Sequence, residues 1–190
     1  MSTESEPTVL VVDDEPEVAD VYSLRLQNEY ETRVAYGGQE ALDVIDIDVD
    51  VVLLDRRMPD ISGDDVLEQI REKGYDCRII MLTAVDPGLD IVDMPFDDYL
   101  CKPVEKADLV AAIDQQLTIK EYDEQLSEYL ETTSKLTLLE SELSEEEQAE
   151  SDELERLQSR AGELKEEIDA VLDEFDDIES AFKQISRSPG

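Results

Sequence analysis

Asp55 follows the apolar run Val51-Val52-Leu53-Leu54, and Asp13-Asp14 follow Val9-Leu10-Val11-Val12. Thr83 follows Arg78-Ile79-Ile80-Met81-Leu82, and Lys102 follows Asp98-Tyr99-Leu100-Cys101. Buried parallel strands read as such continuous apolar runs, and in an open α/β sheet ligands bind just beyond the carboxyl ends of the strands. These five side chains are therefore expected at one site. Three carboxylates that close repel unless a hard cation neutralises them, and Mg²⁺ takes oxygen from one or two carboxylates while keeping waters. The Lys102 amine is no ligand for a cation but serves as a point charge for an anion bridging metal and protein. The Thr83 hydroxyl then faces another oxygen of that anion. Phosphoryl fits, because its transfer needs positioning and charge neutralisation more than a strong base. An ionised Asp55 is the nucleophile, and the product is an aspartyl phosphate.

The elements that must position these groups follow from periodicity. Residues 9–117 alternate short apolar runs with helix-period segments, the pattern of successive βα units in a parallel sheet. Strands are expected near 9–13, 32–36, 50–55, 78–83 and 97–101. Pro16 opens a helix through about Glu29, Gly37-Gly38 precede a second, and Ser62 starts a third that stops at Gly74. The fourth crossover, residues 85–96, carries Pro87, Gly88 and Pro95, so at most one or two turns are expected there.

From Val104 to Ala161 there is neither Pro nor Gly, so the fifth helix is expected to run past Leu117 toward Leu143. Ser144 with Glu147 reads as a capping box that restarts the chain as a new helix. Leu154, Leu157, Ala161, Leu164, Ile168, Val171, Phe175, Ile178, Phe182 and Ile185 then step by threes and fours, a coiled-coil heptad pattern. At ~1.5 Å per residue, that helix would be on the order of 60 Å long. Leu172 and Ala181 widen the apolar face, which suggests a hairpin with the preceding helix and pairing with a second copy. Ser186-Arg187-Ser188-Pro189-Gly190 are expected to fray.

The 190 residues carry a net charge of −36 with 41% hydrophobic content, which points to a folded core under an acidic skin. Residues 1–117 hold 9 basic and 29 acidic residues, net −20, and residues 118–190 hold 7 and 23, net −16. Acidity spread this evenly resembles proteins of salt-saturated cytoplasm, where carboxylates hold hydration and ions screen their repulsion. No apolar run spans a bilayer, and Met1-Ser2-Thr3-Glu4-Ser5-Glu6-Pro7 has no signal-peptide character, so a cytoplasmic location is expected. Cys77 and Cys101 are expected at opposite strand ends, too far apart for a disulfide.

The ordered set Val11-Val12-Asp13-Asp14-Glu15-Pro16, Leu53-Leu54-Asp55-Arg56-Arg57-Met58-Pro59, Leu82-Thr83-Ala84 and Asp97-Asp98-Tyr99-Leu100-Cys101-Lys102-Pro103 resembles the receiver domain of two-component response regulators. The resemblance covers residues 7–117 and implies a flavodoxin-like, doubly wound five-stranded parallel sheet of order 2-1-3-4-5. It also implies that Asp55 takes phosphoryl from a sensor histidine kinase. Asp14 and Asp55 would bind Mg²⁺ directly, Asp13 through water, and the backbone carbonyl of Arg57 would add a ligand. Thr83 and Tyr99 would move on phosphorylation, and Lys102 would hold the phosphoryl group. Arg56-Arg57 is unusual basic charge after the phosphoacceptor, read either as tuning kinase docking or phosphate lifetime or as two solvated arginines.

With its short fourth crossover, acidic composition and all-α extension at 118–186, the chain resembles haloarchaeal response regulators whose extension is called the HalX domain. That resemblance implies signalling through helices, by protein contact or a homodimer. A DNA-binding transcriptional regulator is the alternative, but the extension's arginines are scattered and its charge repels phosphates, so direct nucleic-acid contact is not expected. An aspartyl hydrolase places a second acid two residues after its nucleophile; Arg57 stands there, so no enzymatic turnover beyond slow self-dephosphorylation is expected.

Overall fold

The structure is a computed structural model that describes residues 6–174 and 178–187. Five parallel strands form a sheet of order β2-β1-β3-β4-β5: β1 (Thr8–Val12), β2 (Glu31–Ala35), β3 (Val51–Leu54), β4 (Arg78–Thr83) and β5 (Asp98–Cys101). The crossovers are α1 (Pro16–Leu26), α2 (Gly38–Val44) and α3 (Gly63–Glu72), and α4 (Lys106–Glu142) follows β5. Between β4 and β5 the chain makes only a 3-10 turn, Leu89–Asp93. Pro87 and Pro95 lack the amide protons an α-helix needs, and no α-helix forms in that crossover.

Alternation along the strands builds two apolar layers. Leu10, Val12, Val52, Leu54, Ile79 and Met81 pack with Ala41, Leu42, Val66, Leu67 and Ile70 of α2 and α3. Val9, Val11, Val51, Leu53, Ile80 and Leu82 pack with Ala19, Tyr22 and Leu26 of α1 and with Leu109, Ala112 and Ile113 of α4. Both faces of the central strands β1 and β3 are covered, which is why they read as unbroken apolar runs, whereas edge strand β2 is buried only at Ala35. The register pairs Val12 with Leu54 and Leu54 with Met81, so Asp13 and Asp55 leave the sheet at the same level.

The chain divides into two compact units: one runs through Leu117 and includes the segment from Lys183 onward, the other is Thr118–Phe182. In the second, the later part of α4, α5 (Glu145–Glu150) and α6 (Asp152–Glu174) bury Leu136, Leu154, Leu164 and Ile168. Arg160 forks onto Glu128 through Nε at 2.8 Å and Nη2 at 2.9 Å, so α6 folds back on α4 as a hairpin within one chain. α7 (Ile178–Gln184) follows.

Two expectations are corrected. The capping box forms, with Ser144 N–H donating to Glu147 at 2.9 Å, but the helix it opens ends at Glu150 instead of continuing to the C-terminal region. Ser151 adopts an extended backbone (φ −92°, ψ 102°), and its hydroxyl accepts the Leu154 N–H at 3.2 Å. Serine competes with the helix for backbone groups and caps a new one well, and Asp152, Glu153 and Glu155 favour a fresh helix N-terminus there. Phe175 and the side chain of Ile178, both in the expected heptad series, and the side chain of Ala181, expected to widen the apolar face, lie outside the described residues. The second correction concerns the expected fraying of Ser186 and Arg187: Ser186 N–H instead donates to Asp108 of α4, and Arg187 lies against β5, where it finds the buried carboxylate of Asp98. Ser188, Pro189 and Gly190 lie outside the described residues.

Cys77 and Cys101 are buried free thiols. Among the described residues no helix is long and apolar enough to cross a membrane.

Gly63 opens α3 where a Cβ would meet the carbonyl of Asp55 and, at 2.7 Å, the Cα of Arg56. Gly63→Ala should therefore destabilise the fold by about 1–3 kcal/mol, the usual range for forced overpacking. Urea denaturation at fixed high salt measures it, and an unchanged midpoint contradicts the close approach.

Candidate functional site

Two of the site's acids, Asp13 and Asp55, are held by the ladder continuing one residue past their strands. Asp13 N–H donates to Ala35 O at 3.1 Å and Asp55 N–H to Val12 O at 2.9 Å. Lys102 is fixed likewise, its N–H donating to Thr83 O at 2.8 Å. Asp13 and Asp55 are buried and Asp14 is half-buried, with one carboxylate oxygen from each lying within 4.8 Å of the others. The Lys102 ammonium pairs with Asp13 and lies 3.5 Å from Asp55 Oδ1.

Charge within this cluster does not balance. Three carboxylates against one ammonium leave two negative charges, which a divalent cation with oxygen preference would neutralise, so the donor set fits such an ion. Burial, with the Asp13 charge added, raises the Asp55 pKa above the ordinary aspartate value, against the opposing pull of Lys102 and Thr83. Burial alone would lower the Lys102 pKa, but its hydrogen bond to Asp13 and the charges of Asp55 and Asp13 raise it.

Thr83 is fully buried and reaches two partners. Its hydroxyl interacts with Asp55 and also accepts the Val85 N–H at 3.2 Å. The Val85 carbonyl in turn accepts the Tyr99 hydroxyl at 2.7 Å. Thr83, Val85 and Tyr99 thus form one hydrogen-bonded relay from the acid cluster to β5. Burial raises the Tyr99 phenol's pKa, partly offset by Arg56.

Arg56 is the residue that the sequence left open between two readings. Its side chain is only 13% exposed, so it is not a solvated arginine. It forks onto Asp64 at 3.0 and 3.2 Å and also pairs with Asp90 on the 3-10 turn, so it ties the loop after β3 to the β4–β5 crossover. These partners, Asp64 first, raise its pKa. Its two acids lie 8 and 34 residues away, with no periodic signal to announce them. Arg57 is exposed and lines, with Arg56, Ser62, Asp64, Asp86 and Asp90, an open groove of about 700 Å³ beside the acids.

Comparison with known proteins agrees with this architecture. Residues 9–114 match the model of the response regulator receiver domain, and residues 118–185 that of the HalX domain. The chain belongs to the response regulator receiver family and carries a HalX domain as its helical unit. A Haloferax volcanii protein described as "Putative transcriptional regulator" is 44% identical over 169 residues, 88% of this chain. The chain spans 29% of that relative's length. A receiver domain protein from Methanospirillum hungatei is 28% identical with a TM-score of 0.59, covering 63% of this chain and 99% of that one. The response regulator TrrA of Thermotoga maritima, solved in complex with Mg²⁺ and beryllofluoride, is 34% identical with a TM-score of 0.51, covering 58% and 99%.

The raised Asp55 pKa has a stability consequence of fixed sign. A carboxyl whose folded pKa lies above its unfolded value contributes stability below the unfolded pKa and loses it as pH rises through the folded pKa. At neutral pH in chelator, Asp55→Asn should therefore raise the Tm, and added Mg²⁺ should narrow the difference by stabilising the parent. A variant that melts at or below the parent in chelator would contradict the assigned electrostatics.

Proposed function

We propose that this chain is a phosphorylation-controlled switch: Asp55 accepts a phosphoryl group from the phosphohistidine of a sensor histidine kinase, and the HalX unit carries the signal onward. The observation that supports this most is the meeting of Asp13, Asp14, Asp55 and Lys102 within one buried, charge-unbalanced cluster. A carboxylate oxygen of Asp55 forms a bond to phosphorus as the phosphorus–nitrogen bond breaks, and the leaving imidazole nitrogen keeps the electron pair and takes a proton. Lys102 leaves Asp13 to pair with the incoming phosphoryl oxygens, and the Thr83 hydroxyl turns to another of them. Tyr99 follows Thr83 through their shared partner Val85.

Mg²⁺ would be held directly by Asp14 and Asp55, through water by Asp13, and by the backbone carbonyl of Arg57; it supplies neutralisation of the phosphoryl charge. That the Thermotoga relative was solved with Mg²⁺ and beryllofluoride supports the choice of ion. No turnover is proposed beyond slow self-dephosphorylation, because the exposed Arg57 stands where a hydrolase places its second acid. The proposed setting is cytoplasmic.

The output we propose is helix-mediated protein contact or homodimerisation. α4 is continuous from Lys106 to Glu142, so its first turns pack on the sheet while its later turns build the HalX hairpin. Leu130 and Leu138 of the hairpin are exposed at 56% and 66%, apolar surface available to a partner helix. A second reading, DNA-binding transcription control, rests on the description of the Haloferax relative. Against it stand the net charge of −16 over residues 118–190 and the engagement of Arg160 by Glu128 and of Arg187 by Asp98.

Intact-mass analysis after acetyl phosphate with Mg²⁺ tests the phosphoacceptor. The parent should gain one phosphoryl mass and Asp55→Asn none; no gain, or equal gain in both, defeats the assignment. Fluorescence anisotropy with promoter DNA at high salt separates the outputs. No binding by the phosphorylated protein is expected, and sequence-selective binding would favour transcription control.

A further inference from the structure

β5 is an edge strand, and edge strands leave a row of main-chain groups without a sheet partner. Here two of those groups are taken up. The Tyr99 N–H donates to the carboxylate of Asp98 at 2.8 Å, and the Cys101 N–H donates to the carbonyl of Arg187 at 2.7 Å. Arg187 is 86 positions away in sequence from Cys101, yet it sits where a sixth strand would begin.

The same residue fixes the segment by its side chain. Arg187 Nε and Nη2 donate to Asp98 Oδ1 at 2.8 Å and Oδ2 at 2.9 Å, a two-pronged pairing, and Nη2 reaches Gln115 Oε1 at 3.5 Å. Asp98 is 6% exposed, so this guanidinium is the cation that compensates a buried carboxylate. Ile185 is 7% exposed within the apolar layer of Val104, Leu109, Ala112 and Ile113, and Ser186 N–H donates to Asp108 at 3.3 Å. An apolar anchor, a forked ion pair and a main-chain hydrogen bond together make a built docking site. Its occupant is this chain's own segment Ile185–Arg187.

β5 also carries groups of the phosphoacceptor site. Asp98 and Cys101 hold the tail; Tyr99, between them, joins the relay to Thr83, and Lys102 follows directly with its ammonium on Asp13. Lys102 and Tyr99 share the main chain of this short strand with Asp98 and Cys101, so any shift of β5 that accompanies their rearrangement is felt by the groups that hold the tail. We propose that Ile185–Arg187 is a latch on β5 whose docking opposes phosphorylation of Asp55, because it pins Cys101 while Lys102 remains committed to Asp13. This inference rests on the proposed phosphoacceptor role of Asp55. By reciprocity, release of the latch strengthens anion binding at the site, and anion binding loosens the latch by the same factor.

The test uses the full chain at high salt with Mg²⁺, comparing the parent with Arg187→Ala and Arg187→Lys. Beryllofluoride affinity is read by ¹⁹F NMR, and protection of the Cys101 amide by hydrogen exchange. Arg187→Ala should bind beryllofluoride about five-fold or more tightly, the lower end of ordinary couplings, with Arg187→Lys between the two. In the parent, beryllofluoride should raise exchange at Cys101 and residues 183–187. Unchanged or weaker affinity in Arg187→Ala overturns the latch, as does Cys101 exchange that Arg187→Ala leaves unaltered without the anion. Protection that falls on dilution assigns the docked segment to a second copy and overturns it too. If the parent itself binds no beryllofluoride, the phosphoacceptor reading fails and the linkage fails with it, while the Cys101 exchange still decides whether the segment docks.

Discussion

Confinement of like charge at the carboxyl edge of the sheet is the constraint on which the rest depends. Parallel pairing of β1, β3 and β4 brings Asp13 and Asp55 to one level with Thr83 one residue beyond, and the register holds them there. Burial of Asp13 and Asp55 removes part of the water that would screen these carboxylates, so their repulsion exceeds that of surface charges. Lys102 offsets one charge and leaves two. The fold thus stores an electrostatic demand for a divalent cation and for a group that can recruit Lys102. Supplying both is what the phosphoacceptor role proposed for Asp55 requires.

How such a demand travels depends on what is stiff. Thr83, Val85 and Tyr99 are joined by hydrogen bonds in a partly buried relay, and Arg56 clamps the neighbouring crossover through Asp64 and Asp90. The crossover lacks a helix because prolines interrupt it, so the Arg56 pairs supply tethering that a packed helix would otherwise give. Leu89 and Val92 on that 3-10 turn are exposed at 93% and 75%, which leaves it few apolar contacts of its own. Such a segment responds readily to small changes at its few anchors.

Acidity shapes the helical unit in a different way. With 23 acidic residues against 7 basic in residues 118–190, the hairpin is held by a narrow apolar seam and a few ion pairs such as Arg160 with Glu128. Concentrated salt screens the repulsion among exposed carboxylates, while the buried Leu136, Leu154, Leu164 and Ile168 are indifferent to it. The seam therefore sets the geometry and the ionic environment sets the tolerance for charge.

Much of this was legible in the residues themselves. Strand runs ending in Asp13-Asp14, Asp55, Thr83 and Lys102 marked the site, because burial on both faces forces continuous apolar runs and the next residue must meet solvent. Pro87, Gly88 and Pro95 marked the missing crossover helix, because proline cannot donate a helical hydrogen bond. These are local rules, and local rules are written in the chain. Ser151 was harder: a serine among helix formers is ambiguous until the backbone commits, and here it ends one helix and caps the next. Arg56 and Arg187 were beyond reach, since Asp64, Asp90 and Asp98 become their partners only once the loops and the C-terminal segment are folded into place. Sequence alone determined which chemical groups stand at the strand ends around Asp55, through residue types after apolar runs. Only the tertiary structure decided which arginines are buried and what they hold, because pairing across 34 or 89 residues depends on where the chain returns in space.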